Sequence, residues 1–273
     1  MSDTESSSTP IFALLKDAIR AERPVALATV IEGPNLGAKL LIEPAERTGE
    51  SVSEGTLGNE DLDRVVGRDM LGELGAGRTG IRQYGPEGQA REDEVSVFIE
   101  SFAPPPQMLI FGAVDFTAAL ANVSKFLGYR VTVCDARPMF ATKKRFPRAD
   151  VVAVDWPNRL LDEVGPQLSE RDAIAVLTHD AKFDIPAITS ALQTNVGYIG
   201  VMGSRRTHDD RTKRLIDAGL TNEELDRLRS PIGIDLGGRT PEETAISIVA
   251  EIIALRTGRD INALRDGQGS IHR

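Results

Sequence analysis

Apolar residues at 11, 12, 14, 15, 18 and 19 recur at helical spacing, and Pro24 ends the helix they predict over 11–21. Two strand-like apolar runs follow, 25–31 and 38–42. The turn Glu32-Gly33-Pro34-Asn35 between them predicts a hairpin. A short strand is expected over 51–57. Asn59 then caps a helix over 60–74, with Leu62, Val65, Val66 and Met70 on one face, and Gly75-Ala76-Gly77 breaks it. Strands over 79–84 and 95–102 complete an α+β first half. Pro104-Pro105-Pro106 is a stiff, extended connector and marks a domain boundary.

Past the prolines the pattern changes to strand alternating with helix, which argues for a parallel sheet. Buried strands are expected over 108–111, 130–134, 151–154, 173–177 and 198–201. Helices are expected over 116–127, ended by Gly128, over 185–192 with Pro186 in the first turn, and over 204–218, closed by Gly219. Thr221 with Glu224 reads as a capping box for a short helix. Thr240-Pro241-Glu242-Glu243 opens the last helix, to about 256, with Ala245, Ile248, Val249, Ile252 and Leu255 on its buried face. The tail after Gly258 is expected to be loose, and no internal repeat is visible. The expected fold class is α/β: a C-terminal Rossmann-like parallel-sheet domain over 107–273, with a smaller N-terminal α+β domain over 11–103. Residues 1–10, rich in Ser and Thr and without a basic-then-apolar signal pattern, read as a disordered tail.

Composition narrows the function classes. The net charge of -9 disfavours nucleic acid or an anionic membrane as main partner. No apolar run approaches the roughly 20 residues of a membrane helix. One cysteine, Cys134, allows no internal disulfide and no thiolate-rich metal site, so no metal is expected and a reducing cytoplasm fits. Cys134 ends an apolar strand and reads as a small buried hydrophobe. His208 and His272 have no supporting pattern.

Four constellations could carry chemistry. Phe111-Gly112-Ala113-Val114-Asp115-Phe116 is a strand, a glycine and a helix start, as in a dinucleotide-binding unit. Asp135 follows Gly112 at about the 20-residue interval of a ribose-binding acid. The second glycine of the fingerprint is replaced by Val114, whose branched side chain would crowd a pyrophosphate. A Rossmann-like fold with no nucleotide at this turn is the competing reading. Gly203-Ser204-Arg205-Arg206 is a helix start with two forked cations, suited to an anion. The alternative is a capped helix whose arginines pair with Asp209 and Asp210. Thr178-His179-Asp180 follows a strand, where His179 could act as acid, base or ligand donor, or Asp180 could simply cap a helix. In the glycine-rich loop 230–238, Asp235 could meet a ligand, pair with Arg205, or be satisfied by backbone N–H groups.

Together, Tyr198-Ile199-Gly200-Val201-Met202-Gly203-Ser204-Arg205-Arg206, Ser230-Pro231-Ile232-Gly233-Ile234-Asp235, Thr240-Pro241-Glu242-Glu243 and Leu177-Thr178-His179-Asp180 resemble the C-terminal domain of the XdhC/CoxI family. Ala28-Thr29-Val30, Gly37-Ala38-Lys39, Gly55-Thr56-Leu57-Gly58 and Phe98-Ile99-Glu100 before the prolines resemble its N-terminal half. The resemblance covers the chain from about residue 11. It implies an accessory factor that binds the molybdenum cofactor (molybdopterin), protects it during sulfuration and delivers it to a hydroxylase of the xanthine dehydrogenase or carbon monoxide dehydrogenase type. The implied partners are that apoenzyme, a cysteine desulfurase and further copies of the chain.

The cofactor-binding candidates are then Gly203, Ser204, Arg205, Arg206, His179, Asp180, Asp235, Gly112 and Asp135, with no catalytic residue assigned. The chain departs from the family pattern twice. Many members carry a cysteine near the place of Glu60 and Asp61, and many carry Gly-Ala-Gly-His where this chain has Gly112-Ala113-Val114-Asp115. The reading is a maturation factor rather than a catalyst. The alternative is an NAD(P)-dependent oxidoreductase using the Rossmann domain.

Overall fold

The computed structural model describes residues 11–44, 51–89 and 94–266. The expected tail over 1–10 and His272 lie outside them. The chain divides into two compact units between Pro104 and Pro105.

The first unit contains α1 (Ile11–Arg20), β1 (Val25–Glu32), β2 (Lys39–Glu43), β3 (Val52–Thr56), α2 (Glu60–Ala76), β4 (Gly80–Tyr84) and β5 (Val95–Phe102). Its strands form one antiparallel sheet in the order β3-β2-β1-β5-β4. Strand alternation divides the side chains between two faces. Ala26, Ala28, Leu40, Ile42, Val97 and Ile99 share one core with Leu62, Val66 and Met70 of α2. Val25, Leu27 and Leu41 meet Ala18 of α1 on the other face. The Asn59 side chain accepts from the N–H groups of Asp61 and Leu62, so α2 starts at its expected cap.

The second unit contains β6 (Gln107–Phe111), α3 (Asp115–Phe126), β7 (Arg130–Cys134), β8 (Val151–Ala153), α4 (Pro157–Val164), β9 (Ala173–Val176), α5 (Ala181–Leu192), β10 (Tyr198–Val201), α6 (Arg205–Asp217), α7 (Asn222–Leu225), β11 (Leu228–Arg229) and α8 (Pro241–Thr257). Its six strands are all parallel, in the order β11-β10-β9-β6-β7-β8. The order reverses between β6 and β9, the topological switch point of a doubly wound sheet. Met108, Ile110, Val131 and Val133 pack with Leu120 of α3 and with Ile248 and Ile252 of α8 on one face. Leu109, Phe111, Ile174 and Val176 pack with Leu161, Ile188 and Leu215 from α4, α5 and α6 on the other. Burying each such side chain contributes about 1.5–3 kcal/mol. The expected fold class is the observed one.

Several elements differ from the sequence expectation. Helix α5 starts at Ala181, four residues earlier than expected, because Asp180 caps it by accepting from the Lys182 N–H. Pro186 therefore sits inside the helix, where its ring removes one backbone donor. Helix α4 and the two-residue β11 were not expected. Helix α4 has Pro157 at its first position and no side-chain cap, so it lacks the usual start signal. Leu255 is largely exposed, not on the buried face of α8.

Candidate functional site

In a doubly wound sheet, ligands approach the carboxyl ends of the strands near the switch point. Here Gly112 ends β6 with φ of 111°. A Cβ at that position would lie 2.7 Å from Thr178 Cγ2 and 3.0 Å from the Thr178 backbone N. Only glycine lets the ends of β6 and β9 come this close.

The edge then divides by charge. Helix α3 begins with Asp115, whose carboxylate lies 3.7 Å from the Arg145 guanidinium. A carboxylate thus already occupies the positive end of that helix. Val114 precedes it, half-buried against the core shared with α3 and α8, which explains a branched residue where a nucleotide turn would need glycine. Helix α6 begins differently. Ser204 caps it by accepting from the Thr207 N–H at 3.2 Å, and Arg205 and Arg206 fill its first turn, both exposed. Neither arginine forms an ion pair among the described residues, so the pairing with Asp209 and Asp210 does not occur. Two cations at the positive end of a helix leave a place for an external anion.

The other sequence candidates fall as follows. His179 and Asp180 stand exposed at the end of β9, beside β10, with Asp180 engaged as the cap of α5. Asp235 is exposed and accepts from the Gly237 N–H at 3.2 Å; it makes no ion pair with Arg205. Its loop is anchored elsewhere. Glu251 of α8 accepts from the Tyr198 hydroxyl at 2.6 Å and from the Gly233 N–H at 2.9 Å, and the Ser247 hydroxyl donates to Ile234 O. Cys134 is buried and its thiol donates to Asp155 O; burial pushes its pKa up to about 12, so it is no thiolate at neutral pH. No group of three or more His, Cys, Asp or Glu among the described residues could hold a metal ion. No helix among them is long and apolar enough to cross a membrane.

Asp135 ends β7 and is buried, but its oxygens are already used. They accept from the Ala113 N–H at 2.8 Å, from the Arg137 N–H and Nε at 2.9 Å each, and from Arg137 Nη2 at 2.7 Å. Burial alone would raise its pKa; the hydrogen bonds from Arg137 and Ala113 outweigh it and hold the carboxyl below the usual range. A depressed folded pKa stabilises the fold above the unfolded value and is lost as pH falls through the folded one. Acid titration of the wild type is therefore expected to lose stability from about pH 4 downwards. In Asp135→Asn this acid loss should be smaller, on a lower neutral-pH baseline. Equal acid slopes in the two chains would contradict the assignment.

The residues that bind this edge together were not singled out from the sequence. Asp184 of α5 and Arg211 of α6 are 4% and 5% exposed and form an ion pair at 3.0 Å. The Thr178 hydroxyl donates to Asp184, and Arg211 also donates to Met202 O at 2.9 Å. This buried fork ties the ends of β9 and β10 to the helices that follow them, and so sets where His179 and Ser204 stand. The available signal was that Arg211 stands four residues before Leu215, on the same face of a polar helix as its one buried apolar residue.

Residues 108–252 match the family model described as the XdhC Rossmann domain. The chain is 35% identical over 165 residues to a probable xanthine dehydrogenase subunit of Bacillus subtilis (strain 168), covering 60% of this chain and 47% of that protein. It is 26% identical over 159 residues to the molybdenum cofactor insertion chaperone PaoD of Escherichia coli (strain K12), covering 58% of this chain and 43% of that protein. The chain thus spans less than half the length of these curated relatives. A crystal structure described as a xanthine dehydrogenase from Bacillus halodurans superposes with a TM-score of 0.54 at 22% identity, over 91% of this chain and 96% of that one, and shares the fold. The match over more than half of its length, on the sheet and edge just described, makes this chain a member of the XdhC family through its Rossmann domain.

Proposed function

We propose that the chain is an accessory factor that binds the molybdenum cofactor, stabilises it and delivers it to a hydroxylase of the xanthine dehydrogenase or carbon monoxide dehydrogenase type. The observation that carries this reading is the start of α6, where Arg205 and Arg206 stand beside Ser204 with no anion among the described residues to neutralise them. The names of two relatives, a cofactor insertion chaperone and a xanthine dehydrogenase subunit, support the choice of ligand.

The residues fit one end of such a cofactor. Its terminal phosphate or diphosphate suits the first amides of α6 and the two guanidinium groups. Its metal end has no thiolate waiting, because the sole cysteine is buried and protonated. The group, once inserted in a client, supplies molybdenum redox chemistry there; this chain's residues bind, orient and shield. His179 at the end of β9 and Gly112 at the switch point border the same strand edge. In this reading the domains over 11–103 and 107–273 act together, with a client apoenzyme, and the domain over 107–273 supplies the anion site.

The NAD(P)-dependent oxidoreductase keeps one observation in its favour, Asp135 at the end of the second strand of a Rossmann order. Its carboxylate is already committed to Arg137 and Ala113. One experiment separates the readings. The purified chain is titrated in parallel with molybdopterin, NADH and NADPH, followed by mass spectrometry of the retained ligand. Retention of the pterin alone is expected. Saturable nicotinamide binding with no pterin retained would replace the proposal with the oxidoreductase.

A further inference from the structure

Helix α8 has the composition of a helix buried on every side, yet one of its sides is bare. Between Glu243 and Arg256 it holds a single charged residue, Glu251. That carboxylate is already committed to the Tyr198 hydroxyl and the Gly233 N–H. Ala245, Ile248, Val249 and Ile252 enter the core of the parallel sheet. In a surface helix the side turned away from the core is polar. Here helical geometry sets Ile246, Ala250, Ile253 and Ala254 on that side. Ile246 is 49% and Ile253 38% exposed. A helix that is apolar all round is one that another element covers.

The bare stripe is also symmetric end to end. Ile246 and Ile253 lie about two turns apart on one line along the helix. Glu242 precedes them in the first turn and Arg256 follows in the last. Both are exposed, and neither forms an ion pair among the described residues. Glu243 is spent on its own helix start, where it accepts from the Arg239 and Thr240 N–H groups. The stripe therefore reads acid, isoleucine, isoleucine, base. Reversed, it is complementary to itself in charge and in shape. A twofold axis is the operation that performs this reversal. A partner of another sequence would need no such match between the two ends of one helix.

We propose that α8 of one copy packs antiparallel on α8 of a second copy, about a twofold axis between Val249 and Ala250. Ile246 of each copy then meets Ile253 of the other, and Glu242 of each meets Arg256 of the other. The small side chains of Ala250 and Ala254 let the two helices approach. One helix pair falls below the standard interface size, so the dimer is weak, with a Kd on the order of 10 µM. No residue of the α6 anion site takes part, so this proposal and the cofactor reading stand or fall separately.

Sedimentation velocity of the full chain, from well below to well above that concentration, is expected to show a monomer–dimer equilibrium. Ile246→Lys/Ile253→Lys should weaken it about 100-fold or more, with the fold checked by circular dichroism. The decisive test exchanges charges. Glu242→Lys alone and Arg256→Glu alone should each weaken self-association about 10-fold, because each sets like charges against one another twice. An equimolar mixture of these two variants should recover dimer, since both cross-contacts are then of opposite sign. A mere loss of helix stability would not recover on mixing. Three results would overturn the proposal: a monomer throughout, a dimer unmoved by the isoleucine substitutions, or a mixture no tighter than its components. A monomer that binds a client hydroxylase through Ile246 and Ile253 would give this face to the client and end the proposal as well.

Discussion

Arg211→Ala is expected to destabilise the Rossmann unit by about 3–5 kcal/mol, as for one partner removed from a buried ion pair. Asp184 would be left as a buried carboxylate that keeps, among the described residues, the Thr178 hydroxyl as its hydrogen-bond donor. Met202 O at the end of β10 would lose its donor as well. At the marginal stability of ordinary domains this is a large part of the total. Denaturant unfolding followed by circular dichroism measures it. Arg211→Lys should recover only part, because an ammonium cannot span Asp184 and Met202 O as the planar fork does. The double variant Asp184→Leu/Arg211→Met should lie above the single variant, since it strands no charge. A single-variant loss below about 1 kcal/mol would show that the pair does not clamp the edge.

Arg205→Ala/Arg206→Ala is expected to lower molybdopterin affinity by about 100-fold or more, with little change in thermal stability. Hydrogen bonds to charged groups are worth about 1.5–3 kcal/mol each, and two are removed. Both arginines are exposed and form no ion pair among the described residues, so the fold should lose no more than about 0.5 kcal/mol. Binding to the wild type should weaken as salt rises, and the double variant should show a shallower salt dependence. Arg205→Lys/Arg206→Lys should fall between, keeping charge and losing the fork. Unchanged affinity in the alanine variant would move the anion site away from α6.

Much of this was legible in the chain because its signals are local. The capping boxes at Thr221 and Thr240, the Asn59 cap and the glycine stops depend on neighbours within a few residues, and all are present. Helix α5 shows the limit of such rules. Pro186 suggested a late start, yet packing of Phe183, Ala187 and Ile188 holds a helix that begins at the Asp180 cap and carries the proline inside. The candidate edge was legible in outline, because strand–glycine–helix units place Gly112, His179 and Ser204 at carboxyl ends of parallel strands. The start of α6 already read as the end suited to an anion, from Arg205 and Arg206. What the chain did not encode is that these two meet no acid among the described residues while Asp115 lies 3.7 Å from Arg145.

The sequence alone determined the two-part architecture class, the parallel sheet and the family, since periodicity, caps and motif spacing are written along the chain. Tertiary structure decided what each charged group does. Asp135 reads as a ribose acid, but folding brings Arg137 and the Ala113 N–H onto it. Arg211 reads as one more cation on a polar helix, but folding seats it against Asp184, which lies 27 residues away in sequence. Arg205 and Arg206 stay unpaired because no acid among the described residues is folded within reach. Whether a charge is spent or available depends on distances across the fold, and pattern along the chain does not encode those.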